Sequence, residues 1–307
     1  MLHGMSKVLI RPCPADLHRD ALRMVLGSVD PEQRGSIIEL LRPLASEGFD
    51  VFAGLVIAEQ ASELLGSIWL QPQVGRTATL WPAAVAEHAP AGVSQRLAEA
   101  ALQQAAVLPV SLVQTLLHRS DEPFTKVLES VGFSHLADLC YLLLTVPPRC
   151  EPVVEPALEF VPSSSDPALL EQLTTATYRE TLDCPDLEGR RNIADVMDGY
   201  RTIGVHDPNL WSIVHWHGQP VGVLLMAPYP EANQWELVYM GVIPEARGQA
   251  IGGKILAELK CRASRAGVDH IVLAADAANH PALAMYSQAG YTEWTRRVAY
   301  VKSVDGL

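Results

Sequence analysis

The sequence predicts an α/β fold present in two tandem copies, and three observations lead there. Segments with strand alternation and segments with helical spacing follow one another in the same order in both halves of the chain. Asp121-Glu-Pro-Phe-Thr-Lys-Val-Leu-Glu-Ser-Val-Gly-Phe133 aligns without gaps on Asn279-His-Pro-Ala-Leu-Ala-Met-Tyr-Ser-Gln-Ala-Gly-Tyr291, at a spacing of 158 residues. Between the halves stands Pro147-Pro148-Arg149-Cys150-Glu151-Pro152, whose three prolines can continue neither a helix nor a central strand. The expected domains are residues 1–148 and 158–307, with a linker over 149–157.

In the first copy Val8–Pro12 reads as a strand and Ala15–Leu26 as a helix. A second helix follows, with Pro31 in its first turn and Ile37, Ile38 and Leu41 facing inward. Val51–Ala58 and Leu65–Leu70 are strands about a polar turn near Gln60–Glu63, and Thr77–Trp81 is another. Val93–Ala106 has helical composition and spacing, Ser111–Leu117 is a strand, Pro123–Val131 is a helix ended by Gly132, and Leu136–Val146 closes the copy. In the second copy the strand Leu158–Val161 leads to helices Pro167–Thr181 and Arg190–Ile203. A hairpin of Leu210–His215 and Pro220–Met226 turns at His217-Gly218-Gln219. Trp235–Ile243 is a strand, Ile251–Ala266 a helix, Asp269–Ala275 a strand, Pro281–Ala289 a helix stopped by Gly290, and Tyr291–Val301 the last β segment.

Composition narrows the function. The chain has 307 residues, 49% of them apolar, and no low-complexity tract, so a folded protein with two cores is expected. No apolar run is long enough to span a bilayer, and Met1–Leu9 lacks the pattern of a signal peptide. A net charge of −12 argues against nucleic acid or an anionic membrane as the main partner. Five scattered cysteines suggest neither a disulfide framework nor a zinc site, and a reducing cytoplasm fits them.

The chemistry concentrates in Val238–Leu256. A strand runs into Ala246, Arg247, Gly248, Gln249, Ala250, Ile251, Gly252 and Gly253, and a helix follows. Small residues opening a helix let backbone N–H groups approach an anion, which the helix dipole also favours, and Arg247 adds a fork that matches phosphate oxygens. A pyrophosphate cradle is the reading. A nucleotide-binding protein using the same glycines is disfavoured, because there is no Gly-Lys-Ser/Thr ending and no Gly-x-Gly-x-x-Gly after a first strand. The first copy has His88-Ala-Pro-Ala-Gly92 near this place, at an offset near 159, with a proline that offers no N–H and no arginine. Leu128 stands where the second copy has Tyr286, so the first copy reads as degenerate.

These residues resemble the GNAT superfamily of acyl-CoA-dependent N-acyltransferases. Its signature, Arg/Gln-x-x-Gly-x-Gly/Ala between the fourth strand and the third helix, is here Arg247-Gly248-Gln249-Ala250-Ile251-Gly252, preceded by Val242-Ile243-Pro244-Glu245. Ala250 replaces the first signature glycine, and alanine tolerates positive φ less well. The second matching motif is Asn279-x-x-Ala282-x-x-x-Tyr286-x-x-x-Gly290-Tyr291. The resemblance implies tandem domains, each a mixed, largely antiparallel sheet flanked by helices. It also implies acetyl-CoA as co-substrate, with the helix carrying Asn279 and Ala282 along the pantetheine arm. Met240, Gly241 and Val242 would pair with the pantetheine amides through their backbone, and a break between two strands would receive the cofactor. Tyr286 is the expected acid for the departing thiolate and Glu236 the first choice of base, ahead of His215 and His217. Those two histidines lack a third ligand by spacing, so no metal is expected.

The acceptor is expected to be the primary amine of a small molecule, cationic or polar, attacking directly. Residues 151–230 hold twelve acidic against four basic residues, a net −8 that would attract a cation. Tyr178, Thr181, Asp183 and Arg191 could read its polar groups, and direct attack leaves Cys184 as loop structure. The tandem arrangement, Glu236-Leu-Val-Tyr-Met-Gly-Val242 and Trp294-Thr-Arg-Arg-Val-Ala-Tyr-Val-Lys302 are similar to mycothiol synthase and its relatives. The competing expectation is a non-catalytic acyl-CoA sensor.

Overall fold

A computed structural model describes residues 7–27, 50–118, 122–151 and 155–304. The helix expected around Pro31–Leu41 lies outside the described residues. The chain forms two compact units, Met1–His135 with Val298–Leu307, and Leu136–Arg297.

The first unit contains β1 (Leu9–Pro12), α1 (His18–Leu26), β2 (Leu55–Gln60), β3 (Glu63–Gln73), β4 (Thr77–Val85), α2 (Val93–Ala105), β5 (Leu112–Leu117) and α3 (Glu122–Ser130). The β2–β3 hairpin turns at Ala61 and Ser62, both at positive φ, which suits the right-handed twist of the strands it joins. Strands β1 to β4 pair antiparallel in order, and β4 meets β5 in parallel at Thr77–Thr79 and Leu112–Gln114. The sheet is closed by the end of β12 (Thr292–Ser303), whose Val298–Ser303 runs antiparallel to β5.

The second unit takes β6 (Ser134–Thr145) from Leu136 onward. It continues with β7 (Leu158–Pro162), α4 (Pro167–Tyr178), α5 (Ile193–Arg201), β8 (Trp211–Trp216), β9 (Gln219–Tyr229), β10 (Gln234–Val242), α6 (Ile251–Ala266), β11 (His270–Asp276) and α7 (His280–Gln288). Its sheet order is β6-β11-β10-β9-β8-β7, antiparallel except for β10 and β11. Two cores flank it. Ile255 and Leu259 of α6 are fully buried with Trp235, Leu237, Ile271 and Leu273, each such side chain contributing roughly 1.5–3 kcal/mol. On the other face Leu170, Leu173 and Met197 of α4 and α5 pack on Trp211, Ile213, Val223 and Leu225.

The units are not the two consecutive halves expected from the proline segment. Strand β6, from the first half, pairs with β11 and buries Cys140, Leu142 and Leu144 in the core of the second unit. The end of β12, from the second half, pairs with β5 and buries Tyr300 in the first. Among the described residues each copy has the order of elements the sequence announced, but the closing strands have changed places.

Two further expectations are corrected. The helix predicted to Thr181 stops at Tyr178, because Arg179 is extended and Glu180 has φ 54°. Cys150 and Cys261 form a disulfide, where no disulfide was expected. Their 111-residue separation hid a Cα–Cα distance of 5.0 Å that arises when α6 folds beside the proline segment. Cys13, Cys140 and Cys184 are free thiols.

Candidate active site

Strands β10 and β11 pair only over Gln234–Glu236 and His270–Val272. Beyond these residues β10 follows β9, with a bulge between Leu237 and Tyr239, while β11 follows β6 to Asp276. The two strands therefore splay apart, and a cavity of about 610 Å³ fills the fork. Its walls include Val238–Val242 from β10, Leu273–Ala275 from β11, the loop into α6, and α7. The splay places the β11-facing edge of Met240, Gly241 and Val242 on the cavity. Gly241 is obligatory: a Cβ there would lie 2.6 Å from Thr177 and 2.8 Å from the Tyr239 hydroxyl.

The loop before α6 forms the closed end. None of the N–H groups from Gly248 to Gly253 donates a hydrogen bond among the described residues, and Lys254 N–H is the first to be engaged, by Ala250 O. Six consecutive free donors at a helix start suit an anion by their geometry. Ala250 caps the helix at φ 56° and ψ 19°, so alanine adopts the left-handed conformation that its glycine alternative would take without strain. Gly248, Ala250, Ile251, Gly252 and Gly253 line the cavity. Gln249 does not, because its amide oxygen accepts from Trp216 Nε1 at 3.1 Å.

Arg247 lines the cavity, but its guanidinium is spent elsewhere than expected. Nε donates to Val242 O at 3.0 Å, Nη1 to Glu180 O at 3.0 Å, and Nη2 to Thr177 O and Arg179 O at 2.9 Å each. The fork read from the sequence as a phosphate ligand is occupied by four backbone carbonyls.

The opposite wall is built by α7 and the loop after α4. Asn279 caps α7 by accepting from Ala282 N–H at 3.2 Å, and both residues line the cavity. Tyr286, two turns on, is 8% exposed and presents its ring to the cavity. Burial and the Asp183 carboxylate push its phenol well above the usual tyrosine range, so it stays protonated. Thr181 and Asp183 line the wall as expected. Asp183 Oδ1 accepts from Asp276 N–H at 2.8 Å, and Asp276 Oδ2 accepts from Cys184 N–H at 3.1 Å. Burial raises the Asp183 carboxyl, opposed by hydrogen bonds from the Asp276 amide and Asn279 and aided by the Asp276 charge. The same surroundings push the Cys184 thiol up to about 12, which makes it a poor nucleophile.

Other candidates fall outside the cavity. Tyr178 hydrogen-bonds Tyr200 through their hydroxyls at 2.9 Å, and Arg191 buries its Nε without a partner among the described residues. Glu236 does not line the cavity. It is the last β10 residue paired to β11, on the sheet face opposite Leu237, where burial raises its carboxyl while Tyr229 opposes the shift. His217 forms the β8–β9 turn with Gly218, at φ 50° and 73°. Among the described residues no group of three His, Cys, Asp or Glu side chains could hold a metal.

Sequence reasoning missed Asp276, Thr177 and Met285. Asp276 had a readable signal, since Asp276-Ala-Ala-Asn279 joins a strand end to a helix cap. Thr177 and Met285 had none; their role is to pack against Gly241 and Gly252.

The first unit repeats the fork without its opening. Beyond Thr79 and Gln114 the parallel pairing of β4 and β5 ends, and Thr115 Oγ1 donates across the gap to Leu80 O at 3.0 Å. Gly92 caps α2 at φ 82°, as Ala250 caps α6, so the 158-residue spacing persists through this loop and the offset near 159 is corrected. Ala89 and Val93 N–H groups are bonded within the loop, Pro90 has none, and Leu128 is fully buried in place of Tyr286.

Residues 170–291 match the Acetyltransferase (GNAT) family. A mycothiol acetyltransferase of Stackebrandtia nassauensis is 32% identical over 127 residues, which are 41% of this chain. The chain spans about a third of that relative's length, 36%. A GCN5-related N-acetyltransferase from Sphaerobacter thermophilus has the same fold at TM-score 0.64 and 17% identity, over 98% of this chain and 97% of that one. A putative acetyltransferase from Pyrococcus horikoshii aligns at TM-score 0.52 and 13% identity, over 99% and 91% of the two chains. Among the described residues no helix is long and apolar enough to cross a membrane.

Proposed function

We propose that this chain, whose residues 170–291 form a domain of the Acetyltransferase (GNAT) family, transfers an acetyl group from acetyl-CoA to the primary amine of a small polar or cationic acceptor. The observation that carries the reading is the fork between β10 and β11, with six free amides at one end and the Tyr286 phenol in its wall. The amides take the pyrophosphate, and the open edge of Met240–Val242 takes the pantetheine arm as an added strand would. Acetyl-CoA supplies the activated acyl group.

Glu236 and Tyr286 belong to opposite faces of the sheet, and this suits direct attack. An amine arriving on the Glu236 face loses its proton to that carboxylate, while Tyr286 delivers a proton to the thiolate leaving on the other side. A base absent from the donor cavity is what such a geometry needs. Thr181 and Asp183 contribute polar groups for the acceptor, and the net −8 of residues 151–230 favours a cation.

The test is a calorimetric titration with acetyl-CoA, followed by an amine library screened for release of free CoA thiol. Failure of the wild-type protein to bind acetyl-CoA overturns the proposal. Binding with a complete blank across amines points instead to an acyl-CoA sensor.

A further inference from the structure

We propose that Arg247 is a positioning residue: it fixes the cavity wall that carries Thr181 and Asp183, and leaves the donor's phosphates to the backbone amides. The inference rests on the reading of this cavity as a donor and acceptor site.

The wall, residues 177–184, leaves the last turn of α4 at Tyr178 and continues as irregular chain with two non-glycine residues in the left-handed region, Glu180 at φ 54° and Cys184 at φ 47°. L-residues avoid that conformation unless their surroundings hold them there. At its far end the wall is held by the Asp276 carboxylate on Cys184 N–H and by Asp183 on Asp276 N–H. At its near end the ties come from the cradle loop. Arg247 binds the carbonyls of Thr177, Arg179 and Glu180, and Arg179 forms a bidentate pair with Glu245 at 2.8 and 2.9 Å. Thr177 O lies in the last turn of α4, where a cation is favoured by the helix dipole. A guanidinium has five N–H donors, and four of these bonds already engage it. One Nη1 N–H remains, so a phosphate gripped by the fork would have to break at least one of these bonds, while six unbonded amides stand beside it. The same side chain therefore couples the loop that takes the donor to the wall that meets the acceptor.

The experiment is hydrogen exchange of the full-length Arg247→Ala protein, paired with calorimetric titration of CoA and of pantetheine. Exchange across 177–184 is expected to rise at least tenfold, with CoA affinity changed less than about threefold and the CoA-to-pantetheine ratio retained. Guanidinium ion at millimolar concentration is expected to restore protection of 177–184, and sodium chloride at the same concentration is not. Arg247→Lys, which can serve one or two of the carbonyls, should restore part of the protection; it also carries the comparison if the alanine variant does not fold. Loss of CoA affinity by tenfold or more, or unchanged exchange in 177–184, overturns the proposal. If the wild type binds no CoA, the donor reading fails separately, and the exchange and guanidinium results still decide whether Arg247 holds the wall.

Discussion

Asp183 and Asp276 are joined reciprocally through one short loop: the amide of Asp276 donates to Asp183 Oδ1 at 2.8 Å, and the Asp276 carboxylate takes the amide of Asp183's neighbour, Cys184, at 3.1 Å. The Asp183 carboxyl is raised by burial, a shift that the Asp276 amide opposes and the Asp276 charge adds to. A raised folded-state pKa stabilises the fold fully below the unfolded value, and that contribution is lost as pH rises through the folded value. Asp183→Asn is always neutral and can still accept from Asp276. It is expected to melt above the wild type at neutral pH, with the difference closing on acidification, as thermal scans across pH will read.

Tyr286 and Glu236 separate by what their loss does. Tyr286→Phe keeps the buried ring and is expected to bind CoA within about twofold of wild type while turnover falls by roughly 10²-fold or more. Burial keeps Glu236 protonated to higher pH than an ordinary carboxylate, so its basic form fills in late. The acid limb of kcat/KM is expected above the usual carboxylate range, and Glu236→Gln should remove that limb. A limb that persists in the glutamine variant assigns the base elsewhere, with Asp183→Asn the next variant to profile.

Ala250 holds a left-handed φ of 56° at the mouth of the amide cradle. Glycine takes that conformation without the Cβ penalty, so Ala250→Gly is expected to raise stability by up to about 1 kcal/mol in denaturant titration. CoA affinity should be maintained, since the amides keep their directions.

One CoA per chain is expected by calorimetry. The fork of the first unit is bridged by Thr115 on Leu80 O, and in its loop Val93 N–H is bonded and Pro90 has none to offer. A second site of comparable affinity would mean that this bridge opens.

Alkylation of the denatured chain will count thiols directly. Three alkyl groups are expected without reductant and five after reduction, as Cys150 and Cys261 separate. Closing a loop across 111 residues stabilises by roughly 4–5 kcal/mol in the chain-entropy account, so reduction should also lower the melting temperature clearly.

The parts of this protein that follow local rules were legible before folding. Ile251–Ala266 was read to the residue because small residues open it, and Gly290 marked the end of α7. What escaped was non-local. No spacing rule says that Arg247 reaches back 70 residues to Thr177 O, or that Cys150 meets Cys261. Glu236 is a subtler case. Its strand was correctly found, but which face it presents depends on the bulge after Leu237, and period-two reasoning cannot place a bulge.

The exchange of closing strands bears on the history of the chain. A cut at the proline segment would release no independent module, because each fragment would carry off its neighbour's last strand and leave a bare edge on its own sheet, at β5 in one and β11 in the other. Such edges recruit foreign strands. Truncation to residues 158–307 would thus remove β6 from the very sheet that bears the fork. Neither sheet keeps its closing strand when the chain is divided at the proline segment, so the open fork draws part of its frame from residues of the other half.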